Sequence, residues 1–280
     1  MLPVLHQEQA DVRWIEINDT CDRQEVKLAF TCRSGGYSVA PYNSLNMAIH
    51  VGDVKDVVMK NRQKILSVFN IDISNSVSAE QIHKDSIHIV NKHDIGKGTT
   101  DKSPIPETDG LITTEFGIAL LSFYADCVPI YVWDVTRGII GIAHAGWKGT
   151  VLDIGGKMVE NFSALYNSEL SNIKIAIGPS ICSNCYEVDD NVINKYKSLF
   201  NENELNLIYS CKSEGKYLLD LRKANEILLL KRGILSKHIL HMNQCTSCNP
   251  DLFFSYRYNQ GDTGRMAAII MQKRIDVKHE

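Results

Sequence analysis

Residues 118–145 read IALLSFYADCVPIYVWDVTRGIIGIAHA, and three apolar runs inside that stretch decide the fold class. Runs 118–123, 128–133 and 139–143 are of strand length and are bounded by polar or turn residues, as buried strands are. Asp126, Asp134 and Arg137 cut the stretch, so it does not read as a membrane span. Working outward, further strands are expected at 12–17, 26–32, 173–177 and 266–271, with another around 77–81. Apolar residues at helical spacing (Val54, Val57, Val58, Ile65, Leu66, Phe69) predict a helix over 53–69, with Asp53 as its N-cap. Helices are also expected over 150–166 and 219–230, and a glycine-rich turn at 34–36. Strands and helices mix without strict βαβ alternation, which points to an α+β fold of stacked layers and not to a doubly wound sheet. No repeat and no Pro/Gly/Ser linker divides the chain. The loosest stretch, 94–108, has the length of one long functional loop. Residues 1–280 therefore read as a single domain.

Composition narrows the function classes. Thirty Lys and Arg face 33 Asp and Glu, a net charge of −3, which argues against a sequence-independent nucleic-acid binder. The 18 glycines and seven prolines are ordinary, so neither disorder nor a collagen-like structure is expected. The opening MLPVLHQEQADVRW has no basic n-region and meets an acidic residue at Glu8, so a cytoplasmic protein is expected, with no membrane partner. In a reducing compartment the eight cysteines read as thiols, thiolates or metal ligands.

Three of the candidate ligands stand at strand ends. His83 follows the strand around 77–81, Cys127 sits between two strands directly after Asp126, and His144 leads from the third run into His-Ala-Gly-Trp. Imidazole and thiolate suit zinc or copper, and three protein ligands with one open position are what a catalytic zinc site uses. The same residues also read as a structural histidine pair beside a small buried thiol, or as a Cys127 nucleophile with His144 as base in a hydrolase or deamidase. Two CxxC pairs, Cys182/Cys185 and Cys245/Cys248, are separated by fifty-nine residues, far more than a zinc ribbon allows. Buried thiols near a pocket are the expected reading, and a structural four-cysteine site is the alternative should the pairs meet in space. Arg33 before Gly35–Gly36 is a candidate anion site. Lys148 and Arg265 are further cations, with surface solvation as the plain alternative for each.

Nine segments occur in one order: CRSGGYSVAPYNSLNM, HVGD with Asn61-Arg62, QIH, TDGLIT, ADCVPI, HAGWKGT, AIGPSICSNCYEV, GKYLLDL and CTSCNPDLFFSYR with TGRMAAI. This series closely resembles the YfiH-type family, also described as laccase-domain or polyphenol oxidase proteins and read as purine nucleoside phosphorylases. The resemblance implies a four-layer α/β/β/α sandwich and one zinc per chain held by His83, Cys127 and His144; a copper-dependent polyphenol oxidase is the lesser alternative, because it needs several copper ions and more histidines than this triad supplies. It implies phosphorolysis of adenosine, inosine, guanosine and methylthioadenosine, with deamination of adenosine, so that the partners are a purine nucleoside and phosphate. A monomer or small homo-oligomer is expected. On this reading Arg33, with Lys148 or Arg265, would hold phosphate, Asn46 would bond base or ribose, and Asp126 is the candidate proton shuttle. Lys148 stands where the family usually has Arg, Cys32 where Ser or Thr is usual, and Ser183-Asn184 where Pro-Cys is common. The last departure weakens the case for a metal at the CxxC pairs.

Overall fold

The three apolar runs of residues 118–145 are strands in the computed structural model, which describes residues 2–21 and 24–275. The chain opens with β1 (Leu5–Gln9), β2 (Val12–Cys21), β3 (Gln24–Thr31) and helix α1 (Lys55–Val68). Strands β4 (Ser76–Ser78), β5 (Ile87–Ile89), β6 (Gly110–Thr113), β7 (Ala119–Tyr124), β8 (Val128–Asp134) and β9 (Ile139–Ala145) follow. Helices α2 (Trp147–Val151) and α3 (Ile154–Tyr166) lead to β10 (Lys174–Ile177) and β11 (Glu187–Asp189). The last part holds α4 (Asp190–Lys197), α5 (Glu202–Ile208), β12 (Tyr209–Ser213), β13 (Lys216–Leu219), α6 (Leu221–Lys231), β14 (Ile239–His241) and β15 (Met266–Arg274).

One six-stranded sheet runs β1-β2-β3-β15-β7-β4 and a second runs β14-β10-β8-β9-β6-β5, with β11-β13-β12 as a small third sheet. Side-chain alternation stacks them. Met266, Ala268 and Ile270 of β15 face the space between the large sheets, where they meet Leu28 and Phe30, while Ala267, Ile269 and Met271 face α1 through Ile65 and Leu66. Tyr131 and Trp133 of β8 enter the same inter-sheet space, whereas Val128, Ile130 and Val132 point the other way, under Met158 and Phe162 of α3 and Leu229 of α6. The result is the expected α/β/β/α sandwich, a mixed α+β domain. Central strands are covered on both faces, which is why they read as unbroken apolar runs and not as alternating ones. Three polar ties stitch the sheets: Tyr131 Oη donates to the Ala29 carbonyl (2.8 Å), Tyr124 Oη to Ala143 (2.9 Å), and Trp133 Nε1 to Asp19 (2.7 Å). Among the described residues no helix is long and apolar enough to cross a membrane.

Local expectations shift where tertiary partners intervene. Asp53 is not the cap of α1: Val54 holds that position with no side-chain cap bond. The Asp53 carboxylate is drawn off by Ser38 Oγ (2.7 Å) and Asn46 Nδ2 (2.8 Å), keeping only the Val54 N–H beside the helix. The single helix expected over 150–166 is broken, because Asp153 adopts φ +55° and caps α3 by accepting from Gly156 N at 3.1 Å. The strand around 77–81 is limited to β4, and residues 219–230 divide between the end of β13 and α6.

Candidate metal centre and its cavity

The chain crosses from one large sheet to the other twice at the same place. Residues 79–86 join β4 to β5 and carry His83; residues 125–127 join β7 to β8 and carry Cys127. His144 lies on β9, paired opposite Pro129 of β8. The ligand atoms of His83, Cys127 and His144 all lie within 4.8 Å of one another. The two imidazoles meet edge-on, ring centroids 4.6 Å apart. Both crossings are strained: His83 has φ +59° and Asp126 φ +85°, conformations that non-glycine residues hold only when the surroundings enforce them.

Asp109 does the enforcing at His83. Its carboxylate accepts the backbone N–H groups of Ile82 (3.1 Å), His83 (3.0 Å) and Lys84 (2.8 Å) and meets His144 Nδ1 at 2.8 Å. Burial pushes the Asp109 carboxyl up, but His144 and the N–H donors outweigh it and hold the group below its ordinary range. An ionised Asp109 places the proton on His144 Nδ1, which leaves Nε2 to face the other donors. Burial alone would raise the Cys127 thiol, yet the His144 and His83 imidazoles draw it down to about 6. For buried His144 the balance runs the other way: desolvation lowers it, and Cys127 with Asp109 raises it to about 9. Both shifts favour a Cys127 thiolate facing a protonated His144, and a soft cation bound there would displace that proton. Behind the donors stands Gly146, where a Cβ would lie 3.0 Å from Cys127 Sγ and 3.1 Å from His83 Cδ2. The three side chains thus form a close cradle whose donor set fits zinc or copper. The Cys127–His144–Asp109 chain also has the connectivity of a nucleophile triad, for which His83 has no necessary part.

A cavity of about 410 Å³ opens over the triad, lined also by His50, Gln81, Phe123, Tyr186, Tyr256, Arg257 and Arg265. Of the expected cations only Arg265 is there, its Nη1 anchored on the Thr263 (2.7 Å) and Gly264 (3.0 Å) carbonyls. Arg33 lines a different hollow with Asn43 and Pro250 and bonds both of their carbonyls. Lys148 is exposed on α2, its Nζ 5.5 Å from the Trp147 ring. Asn46 is fully buried: Nδ2 donates to Ala48 O and Asp53, and Oδ1 accepts from Ala48 N and Arg265 N, so it positions Arg265 and has no bond to spare for a ligand. Asp126 borders the cavity, yet its oxygens accept from Thr246 Oγ1 (2.6 Å), Ser255 Oγ (3.0 Å) and Arg257 N (2.7 Å). That carboxylate ties loops together and is poorly placed to move a proton.

Several residues of the site lay unassigned within segments of the motif series. Asp109 belongs to TDGLIT, His50 to HVGD, Tyr186 to the segment ending CYEV, and Arg257 to FFSYR. Gln81 of QIH fixes the crossing by pairing both amide atoms with the Phe123 backbone, at 2.9 and 2.8 Å. Of the two readings of the CxxC pairs, the structure favours the alternative over separate buried thiols: Cys182, Cys185, Cys245 and Cys248 converge, their sulfurs all within 4.8 Å.

Residues 27–273 match the family described as multi-copper polyphenol oxidoreductase laccase. A relative from Bacillus subtilis named purine nucleoside phosphorylase YlmD is 38% identical over 261 residues, 93% of this chain and 92% of the relative. The Geobacillus stearothermophilus protein of the same name is 41% identical over 241 residues, 86% of this chain and 88% of its own length. A crystal structure of YlmD from Geobacillus stearothermophilus superposes with TM-score 0.88 at 37% identity, covering 97% of this chain and all (100%) of that one.

Proposed function

This chain belongs to the family described as multi-copper polyphenol oxidoreductase laccase, and from that premise we propose that it is a zinc-dependent purine nucleoside phosphorylase acting on adenosine, inosine, guanosine and methylthioadenosine. The observation that carries the reading is the convergence of His83, Cys127 and His144 on a cavity that also holds Arg265. The relatives named purine nucleoside phosphorylase support the reaction class. Two imidazoles and one thiolate would hold zinc with a position open to the cavity, and the ion would supply a Lewis acid there. A multi-copper oxidase needs additional imidazole-rich donor groups; among the described residues the other convergent group is the four cysteines.

In phosphorolysis a phosphate oxygen bonds to C1′ as the C1′–N9 bond breaks, its electron pair leaves with the purine, and the purine takes up a proton. Arg265 is the phosphate-binding group of this proposal. Its Nη1 is held by the protein, while Nε and Nη2 have no partner among the described residues, which presents a fork suited to phosphate. Tyr186 and Tyr256 line the cavity, each with a guanidinium over one ring face, and would offer the other face to a purine. Desolvation, then the charges of Arg265 and Arg62, hold His50 below its ordinary range and hence neutral near pH 7. Its ring nitrogens would carry the proton transfers. In adenosine deamination by the same site, a water oxygen bonds to C6, the C6–N bond breaks and ammonia leaves. His50 takes the proton-transfer role there as well, because Asp126 is committed to loop ties.

The test is incubation of purified, metal-analysed protein with adenosine, with and without phosphate, followed by chromatography. Adenine and ribose 1-phosphate formed only with phosphate establish phosphorolysis, and inosine establishes deamination. Neither product from zinc-loaded protein overturns the proposal. A metal-free protein that forms a covalent adduct at Cys127 would establish the hydrolase instead.

A further inference from the structure

The four cysteines outside the cavity form a site of their own. Cys182 and Cys185 flank a short turn between β10 and β11, and Cys185 N donates to the Cys182 carbonyl at 3.1 Å. Cys245 and Cys248 lie between β14 and β15. The two loops are aligned by a bridge between Ser180 and Cys245, with Ser180 N donating to Gln244 O and Thr246 N to Ser180 O, each at 3.2 Å. Cys248 Sγ is 3.4 Å from Cys185 Sγ and 3.8 Å from Cys182 Sγ. Zinc–thiolate bonds of about 2.3 Å arranged tetrahedrally require sulfur–sulfur edges of about 3.8 Å. Cys245 Sγ also accepts two backbone N–H groups, from Cys182 (3.2 Å) and Cys248 (3.3 Å), the kind of bond that supports a ligating thiolate. Neither Ser183 nor Asn184 contributes a sulfur, so their departure from the family pattern leaves the donor set whole.

We infer that Cys182, Cys185, Cys245 and Cys248 hold a second ion, a closed structural zinc site distinct from the His83–Cys127–His144 centre. All four positions of a tetrahedron are filled by protein, so the site has no opening for substrate. Its role follows from what the two loops carry. Tyr186 follows Cys185 directly, and Tyr256 and Arg257 lie beyond Cys248, all three on the cavity wall. The loops meet again where Arg257 Nη1 donates to Glu187 O (2.9 Å) and its guanidinium covers the Tyr186 ring at 5.1 Å. An ion bound to both CxxC turns would hold together the two loops that carry this wall.

The test is metal content of protein purified under reducing conditions, read by mass spectrometry. Two zinc ions per chain are expected in the wild type, one in Cys245→Ser/Cys248→Ser, and one in Cys127→Ala. Cobalt(II) loaded into Cys127→Ala protein is expected to give the intense absorption of a four-thiolate tetrahedral site, and this measurement carries the test alone where the double variant does not fold. A double variant that keeps the wild-type zinc count overturns the inference, as does Cys127→Ala protein that takes up no metal. So does a disulfide between these cysteines in the reduced preparation. A single zinc lost only in the double variant would leave this site standing and remove zinc from the proposed active site.

Discussion

Asp109 and His144 face each other across 2.8 Å, and the same carboxylate holds three N–H groups of the loop that presents His83. Two of the proposed zinc ligands therefore depend on one side chain. Asp109→Asn is expected to lower zinc affinity about 10- to 100-fold, checked by competition with a chelating dye, because the amide cannot accept from all of these donors and still fix the imidazole. Arg265 and Arg33 make a second contrast. Arg265→Ala is expected to raise KM for phosphate at least about tenfold, the loss of roughly 1.4 kcal/mol of charge-assisted bonding. Arg33→Ala, in a separate hollow, is expected to leave that KM unchanged and to lower the melting temperature by freeing the Asn43 and Pro250 carbonyls. Steady-state kinetics at varied phosphate, beside thermal unfolding, check both. From the sequence Arg33 is the first phosphate candidate, with Lys148 or Arg265 beside it, and the structure puts Arg265 at the cavity and Arg33 elsewhere. Ligand chemistry selects His and Cys by residue type, but which guanidinium reaches the cavity depends on contacts more than two hundred residues apart, such as Asn46 with Arg265.

At the level of elements, the strand runs were legible because a strand covered on both faces must be apolar throughout. Caps and breaks were less so: Asp53 has a cap's identity and position, and Ser38 and Asn46 claim its carboxylate instead. The turn of residues 92–94 shows a cap at work. Asn91 and Asp94 cap it reciprocally, and Asp94 also bonds Lys97 (2.8 Å) and His88 (3.0 Å). Burial pushes the Asp94 carboxyl up, but Lys97, the Asn91 N–H and His88 bring it down to about 2. A carboxylate held down in the fold releases its proton more readily there than in the unfolded chain. Its contribution is complete above about pH 4, the ordinary carboxylate value, and is lost as the pH falls toward 2. Asp94→Asn is therefore expected to cost about 1 kcal/mol at pH 7, after allowance for solvent screening, and to unfold at the wild-type denaturant midpoint near pH 2.

On the scale of the molecule, the inter-sheet core is apolar except for a few ties, of which Tyr131 to Ala29 joins the two large sheets through fully buried atoms. Tyr131→Phe is expected to destabilise by about 1 kcal/mol, lowering the melting temperature by about 2–4 °C in a scan, with the cavity chemistry intact. The two-sheet arrangement also explains the site: the β4–β5 and β7–β8 connections both pass between the sheets and bring His83 and Cys127 to one point, while His144 arrives along β9. What the sequence determined by itself were properties carried by residue type and local period: the buried strands, the α+β class, a soft-metal donor set and an ordered series of motifs. What only tertiary structure decided were the pairings between distant segments. The Asp109 anchor, the choice of Arg265, the binding of Asp126 into loop ties and the meeting of the two CxxC turns all join residues that no local spacing relates. Chain topology sets their distances, and a hydrogen bond or a metal–sulfur bond exists only within a few tenths of an ångström of its proper length.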